Sequence, residues 1–201
     1  MASKTEICNL ALSHLGISKD IANVDTEQSQ EAKACRRFYD LARQTTLKDF
    51  NWPFATKFLA LGLIEENPTD EWRYSYRYPN DCLYARRILS GFRDDTENTR
   101  IQYKVGQDDA GLLFYTDKES ATLEYTVDIE DVSYFSSDFK MALSYRLAHY
   151  IAARITAGDP FNLADKSFAK YKMEITNAAA NALNEDKSSL PFVTESIQAR
   201  D

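Results

Sequence analysis

The side chains of this sequence that could carry out chemistry are pairs of carboxylates. They occur at four places: Glu65-Glu66, Asp94-Asp95, Asp108-Asp109 and Glu130-Asp131. Adjacent carboxylates can bind a metal ion or serve as acid and base in hydrolysis. All four pairs fall in segments predicted to be turns or linkers, where charged side chains are ordinarily solvated. We therefore interpret them as surface charge, and we keep a small hydrolase that depends on Asp108 or Asp109 as an alternative function.

The histidines and cysteines do not form a catalytic or metal-binding motif. His14 and His149 each lie in a predicted helix, and the sequence contains no HExxH and no zinc-type Cys/His spacing. P-loop and G-x-S-x-G motifs are also missing from the sequence. Cys8 and Cys35 fall within helical patterns, where a free cysteine behaves as a small buried hydrophobe. We therefore predict no catalytic residue, no metal site and no cofactor.

A tyrosine-rich segment is the most distinctive candidate for binding. Trp72, Tyr74, Tyr76 and Tyr78 alternate with polar residues, as in a half-buried strand. Such a strand can stack on nucleic-acid bases or contact another protein subunit. Base stacking also needs a basic rim, and the intervening arginines fall on the opposite face of the predicted strand. We interpret the four aromatic residues as a packed face or as a tail-side or subunit interface. A single-stranded nucleic-acid-binding module is the alternative.

Helical patterns lie on both sides of this segment. Apolar residues at helical spacing predict helices at about 4–16 and from Asp25 or Thr26 to about 49. A third helix is predicted from Ser136 or Ser137 to Gly158, and a fourth at about 160–186. Ser3-Lys4-Thr5-Glu6 has the pattern of a capping box for the first helix.

Short alternating or apolar segments between the helices predict β-strands. They are 72–78, 82–89, 101–105, 112–116 and 121–127; 58–64 is a short apolar run, and 65–70 is predicted to be a turn because it contains Asn67-Pro68. We therefore predict an α+β fold. An antiparallel-type bundle of about four helices (1–55 and 131–186) would carry an inserted small β-sheet module (56–130). An extended C-terminal tail (187–201) would follow.

The tail is more apolar than a purely solubilising segment. It contains Leu190, Phe192, Val193 and Ile197, so it could pack on its own domain or on a partner protein.

Composition restricts the possible partners of the chain. The 201 residues carry a formal net charge of −7, with Lys and Arg scattered along the sequence. This distribution is unlike the basic face of a tight duplex binder, but a negative surface lets DNA pass without adhering. No apolar run approaches the ~20 residues that span a membrane, and no secretory signal is recognisable. The sequence thus predicts a protein made in the cytoplasm, without a membrane partner.

The order of several short motifs resembles one protein family. The motif residues are Glu6-Ile7-Cys8-Asn9-Leu10-Ala11-Leu12, Leu15-Gly16, Ala32, Cys35-Arg36, Tyr39-Asp40, Ala42-Arg43, Leu47, Trp52-Pro53-Phe54-Ala55, Tyr78-Pro79-Asn80-Asp81-Cys82-Leu83, Phe139, Ala142-Leu143, Tyr145, Leu147-Ala148 and Ile151-Ala152. Together they resemble the tail tubular protein A family, the head-to-tail connectors (adaptors) of tailed bacteriophages. The resemblance spans about 6–180.

The resemblance implies a structural virion protein without catalytic residues. Members of that family form a homo-oligomeric ring, generally of twelve subunits, between the portal protein and the next tail or nozzle protein. DNA passes through the central channel without specific binding. By this resemblance the chain would be located at the head–tail junction of the virion, after assembly in the bacterial host cytoplasm. The tail lies outside the matching motifs, and Leu190, Phe192 and Val193 are our candidates for its contact with the portal.

Overall fold

The structure is a computed structural model that describes residues 3–92 and 96–186. Its helices are α1 (Lys4–His14), α2 (Gln30–Asp49), α3 (Ser137–Ile155) and α4 (Leu163–Asp186). α3 packs against the other three helices. It buries Phe139, Leu143, Leu147 and Ile151 at four-residue spacing, which places them on one side of the helix. These side chains form the centre of the main hydrophobic core.

The strands form two antiparallel sheets. In chain order they are β1 (Thr56–Ala60), β2 (Leu63–Thr69), β3 (Trp72–Arg77), β4 (Cys82–Ile88), β5 (Tyr103–Asp108), β6 (Gly111–Thr116) and β7 (Thr122–Val127). One sheet has three strands in the order β1-β7-β4, and the other has four in the order β2-β3-β6-β5. The sheets share a second core, to which Tyr76 and Phe114 contribute from one sheet and Ile88, Leu123 and Tyr125 from the other.

The fold class is α+β, but the prediction of a helical bundle with one small inserted sheet is wrong. Two substantial sheets, with seven strands among the described residues, stand beside the helices. The segment 65–70 was predicted to be a turn, yet most of it belongs to β2, which pairs with β3. Asn67 does adopt a positive φ of 53°, as its turn signal suggests. Cross-strand pairing nevertheless continues to Thr69, with register shifts that absorb the irregularity.

Several element boundaries also differ from the prediction. α2 begins after Ser29, whose side chain accepts a hydrogen bond from the Ala32 amide, and not after Asp25 or Thr26. α4 begins three residues later than predicted, because Asp159 and Asn162 have positive φ values of 59° and 53°. The Asp159 carboxylate still accepts hydrogen bonds from the first amides of α4, at 2.7 and 2.8 Å.

The N-terminal capping box is confirmed. The Ser3 hydroxyl accepts a hydrogen bond from the Glu6 amide at 3.2 Å, and the Glu6 carboxylate accepts one from the Ser3 amide at 3.3 Å. None of the described helices combines the length and the apolar character needed to cross a membrane.

Candidate functional site

Three members of the predicted aromatic face lie on β3, an inner strand of the four-stranded sheet, and Tyr78 directly follows that strand. Tyr76 is only 1% exposed, and its hydroxyl donates to the Lys118 carbonyl at 2.8 Å. Tyr78 stacks on Phe114, with 4.7 Å between the ring centroids. Trp72 and Tyr74 are half-buried. Tyr76 is therefore part of the core between the sheets, and the partly accessible members of the set are Trp72, Tyr74 and Tyr78.

The proposed portal contacts Leu190, Phe192 and Val193 lie outside the described residues, as does the acidic pair Asp94-Asp95.

Asp108 is held by an arginine. Its two carboxylate oxygens accept hydrogen bonds from Arg77 at 2.9 and 3.0 Å. The hydrogen bonds from Arg77 lower the pKa of Asp108 below its usual range. A carboxylate with a lowered pKa is a poor proton donor near neutral pH. No group of three or more His, Cys, Asp or Glu residues that could hold a metal ion occurs within 3–92 and 96–186.

The histidines take part in contacts between helices. The His14 ring stacks on Tyr145, with centroids 3.8 Å apart, and its Nε2 lies 2.9 Å from the Ser144 hydroxyl. His149 Nδ1 lies 3.0 Å from the carbonyl oxygen of Ala164, at the start of α4. Each imidazole therefore joins α3 to a neighbouring helix or to the residues that begin it.

Cys8 and Cys35 lie together in the helical core. Both are buried free thiols. The hydrogen bond between them and their burial raise the pKa of Cys8 far above its ordinary value. A thiol that stays protonated is a weak nucleophile, so Cys8 has the character of a packing residue.

Arginines join the helices to the three-stranded sheet. Arg43 of α2 is buried and pairs with Asp128, directly after β7. Arg86 of β4 donates to the carbonyls of Leu47 and Phe50 at 2.9 and 2.6 Å, at the end of α2. These bonds fix the sheet against the helices, and with it the orientation of the edge strands.

Two neighbouring edge strands carry a group of exposed apolar side chains. β1 and β2 follow one another in the chain and are edges of the two different sheets. Within 58–64, four large side chains are exposed: Phe58 (57%), Leu59 (38%), Leu63 (49%) and Ile64 (48%). A long apolar edge strand has unpaired backbone groups and is a preferred place for another chain to pair. This surface, 58–64, is called the apolar edge below.

The opposite edge of the four-stranded sheet is also open. β5 pairs with β6 on one side, and no further strand pairs with it in the described part of the chain. Lys104 and Val105 on β5 are exposed, the latter at 44%. The sheet therefore presents two accessible edges of different composition.

A separate apolar cleft lies beside the last described turns of α4. It has a volume of about 200 Å³ and is lined by Phe50, Trp52 and Phe54, among others, with Ala178 and Asn181 from α4. Trp52 and Phe54 belong to one of the sequence motifs given above, so this motif packs the core and also forms one wall of a cleft.

Sequence reasoning missed the apolar edge. From the sequence, 58–64 is identified only as a short apolar run, and its division into two strands is not predicted. The available signal was Gly62, which separates β1 from β2. Exposure of the run depends on which strands become edges, a property of the complete sheet order.

No protein-family model matches this sequence, and no curated protein shows significant similarity to it.

Proposed function

We propose that this chain is a structural subunit of a ring at the head-to-tail junction of a tailed bacteriophage, between the portal and the next tail protein. The observation that carries the proposal is the apolar edge, with four large hydrophobic side chains exposed within seven consecutive residues. Apolar surface of this kind, on strands with free backbone groups, suits assembly with other subunits. The kind of assembly is proposed from the ordered motifs that resemble the tail tubular protein A family.

The positions of these motifs support the proposal. Trp52 is 2% exposed and packs edge-on against Phe139, with 5.0 Å between the ring centroids, so motifs far apart in the sequence meet in one core. Arg43, another motif residue, fixes the helices to the sheet through Asp128. The motifs thus maintain the relative positions of the helices and the sheets, as a subunit with two different contact faces requires.

The ring should be heterologous, with one surface of each subunit meeting a different surface of the next. The acidic charge of the chain, −7, would let DNA slide through its channel. Within this proposal the protein acts without catalysis and without a cofactor, and it resides in the virion.

The experiment is native mass spectrometry combined with negative-stain imaging of the full chain, alone and mixed with the portal protein of the same phage. A closed ring in either sample supports the proposal. A chain that stays monomeric in both samples, or that forms only two-fold dimers, contradicts it. Binding to single-stranded DNA that falls steeply with added salt would instead favour the nucleic-acid-binding alternative.

A further inference from the structure

We propose that neighbouring subunits join edge to edge, with β5 of one copy pairing with β2 of the next to form one continuous antiparallel sheet. The proposed partner is a second copy of this chain, and the inference rests on the proposed ring. It adds the surface, the direction of the strands and their register.

Strand directions make this pairing geometrically simple. Each neighbouring pair in the order β2-β3-β6-β5 is antiparallel, so the two edge strands β2 and β5 run in opposite directions. A second copy placed beside the first in the same orientation therefore brings its β2 antiparallel to β5. The three-stranded sheet differs, because its edges β1 and β4 run in the same direction and would meet in parallel. Antiparallel pairing is slightly more stable per residue.

One cross-strand row supplies apolar contact at both edges. Leu63 pairs with Tyr76, Tyr76 with Phe114, and Phe114 with Val105. Residues directly opposite one another point to the same face of a sheet. The two inner members of this row are buried, while Leu63 and Val105 are 49% and 44% exposed. In the continuous sheet, Val105 of one copy lies beside Leu63 of the next, and both become covered.

The neighbouring row carries complementary charge. Glu65 pairs with Ser75, Ser75 with Tyr115, and Tyr115 with Lys104. Glu65 and Lys104 are exposed, and neither forms an ion pair within the described part of the chain. The register shift between Leu63 and Glu65 leaves Ile64 as an extra residue in β2, so the rows that place Val105 beside Leu63 also place Lys104 beside Glu65 of the next copy. Opposite charges directly across a strand pair are favourable, and like charges are not.

These charges also select against closed dimers. Two β2 edges would place glutamates of both copies close together, and two β5 edges centred on Lys104 would bring the two Lys104 side chains together. The β5-to-β2 combination avoids both repulsions, and it leaves a free edge at each end of the pair. Specificity of this kind comes from penalising the wrong partner as well as favouring the right one. Continued addition gives a ring where the rotation between copies closes.

Pro68 limits the length of the pairing. It lies in β2 and has no amide hydrogen to donate. The intermolecular ladder is therefore confined to about 63–66, opposite 103–105 of the neighbouring copy.

Two charge-reversal variants, assembled separately and as a mixture, test the inference. Lys104→Glu alone and Glu65→Lys alone should each raise the concentration needed for ring assembly by about tenfold, because like charges then meet at every junction. A mixture of the two variants should assemble as the wild type does, because alternating copies restore opposite charges at both kinds of junction. Lys33→Glu, an exposed change on α2, is the matched control and should assemble normally. Assembly is measured by native mass spectrometry. The sample is the chain alone or the chain mixed with portal, according to which of the two gives a ring for the wild type.

Cysteine cross-linking checks the register. A mixture of Leu63→Cys and Val105→Cys should form intermolecular disulfides under mild oxidation with oxidised glutathione, whereas neither variant alone should. The edge pairing is wrong if the wild type forms rings and both charge-reversal variants form them equally well. It is also wrong if the mixture of cysteine variants forms rings without a disulfide between copies. In either case the proposed function stands. A wild type that forms no ring in either sample overturns the proposed function together with this inference.

Discussion

Arg43 of α2 and Asp128, the residue after β7, form an ion pair at the junction between the helices and the three-stranded sheet. The Arg43 side chain is only 2% exposed, and its guanidinium also donates to the Ile129 carbonyl at 2.7 Å. Gln44 donates to the second carboxylate oxygen of Asp128 at 2.9 Å. Two consecutive residues of α2 therefore bind the chain where it leaves the sheet and returns towards α3.

Replacing Arg43 should destabilise the fold strongly. Arg43→Met removes the cation and leaves the partly buried Asp128 without its main partner, so the free energy of unfolding should fall by about 2–4 kcal/mol. Urea unfolding at neutral pH measures the change. Asp40→Asn is the control, because Asp40 is 68% exposed and 3.6 Å from Arg43. Asp40→Asn should lower the free energy of unfolding by less than about 1 kcal/mol. Equal losses for the two variants would mean that the ion pair between Arg43 and Asp128 does not stabilise the fold.

Trp52 should contribute both packing and a hydrogen bond. Its Nε1 donates to the Thr46 carbonyl at 2.8 Å, and its ring packs edge-on against Phe50 and Phe139. Trp52→Phe should lower the free energy of unfolding by about 1–3 kcal/mol, because a buried carbonyl loses its donor and a small cavity remains.

Trp72→Phe is the matched control for Trp52. Trp72 Nε1 is buried and has no hydrogen-bond partner among the described residues, so this substitution removes an indole without breaking a bond. Chemical denaturation of both variants should therefore show a smaller loss for Trp72→Phe. A loss as large as that of Trp52→Phe would mean that the Thr46 hydrogen bond contributes little.

The helices could be predicted from the sequence because their signals are local. The predicted N-terminal caps form the expected hydrogen bonds, between Ser3 and Glu6 in α1 and between Ser136 and the Phe139 amide in α3. β2 could not be predicted in the same way, because Asn67-Pro68 is a strong local turn signal. Pairing with β3 overrides that signal, and a preference of one segment for another is not visible within either segment.

The candidate assembly surface was less predictable than the fold. The run 58–64 has the composition of a buried segment, and its exposure follows from the position of β1 and β2 at the edges of two sheets. Tyr76 was more predictable. Its alternation with polar residues indicates a strand with one packed face, and the second sheet covers its ring almost completely.

The ring of Tyr115 should leave no room for a side chain larger than that of glycine at position 106. A Cβ atom at position 106 would lie 2.4 Å from Cε2 of Tyr115, although the backbone there has no positive φ. Gly106→Ala should therefore displace the ring and lower the free energy of unfolding by about 1–3 kcal/mol.

A double-mutant cycle isolates this steric effect. In a Tyr115→Ser background the methyl group meets no ring, so Gly106→Ala should cost much less there than in the wild type, as measured by urea unfolding of all four proteins. Equal costs in the two backgrounds would show that the ring is not the obstacle.

His14 should make stability depend on pH below neutrality. Since the Ser144 hydroxyl donates to the Met141 carbonyl at 2.8 Å, its oxygen accepts from His14 Nε2. Burial lowers the pKa of His14 below its ordinary value of 6.5. The unfolded chain therefore binds a proton more readily than the folded chain. This contribution to stability is present above about pH 6.5 and is lost as the pH falls towards the lowered pKa of the folded state.

His14→Gln tests this linkage, because glutamine can donate a hydrogen bond but does not titrate. The free energy of unfolding, measured in urea between pH 7.5 and pH 5.5, should decline less for the variant than for the wild type. Carboxylates contribute to the decline in both proteins, so the informative quantity is the difference between the two slopes. Parallel slopes would mean that His14 is protonated equally easily in the folded and unfolded chains. That result would contradict the burial of His14 against Ser144.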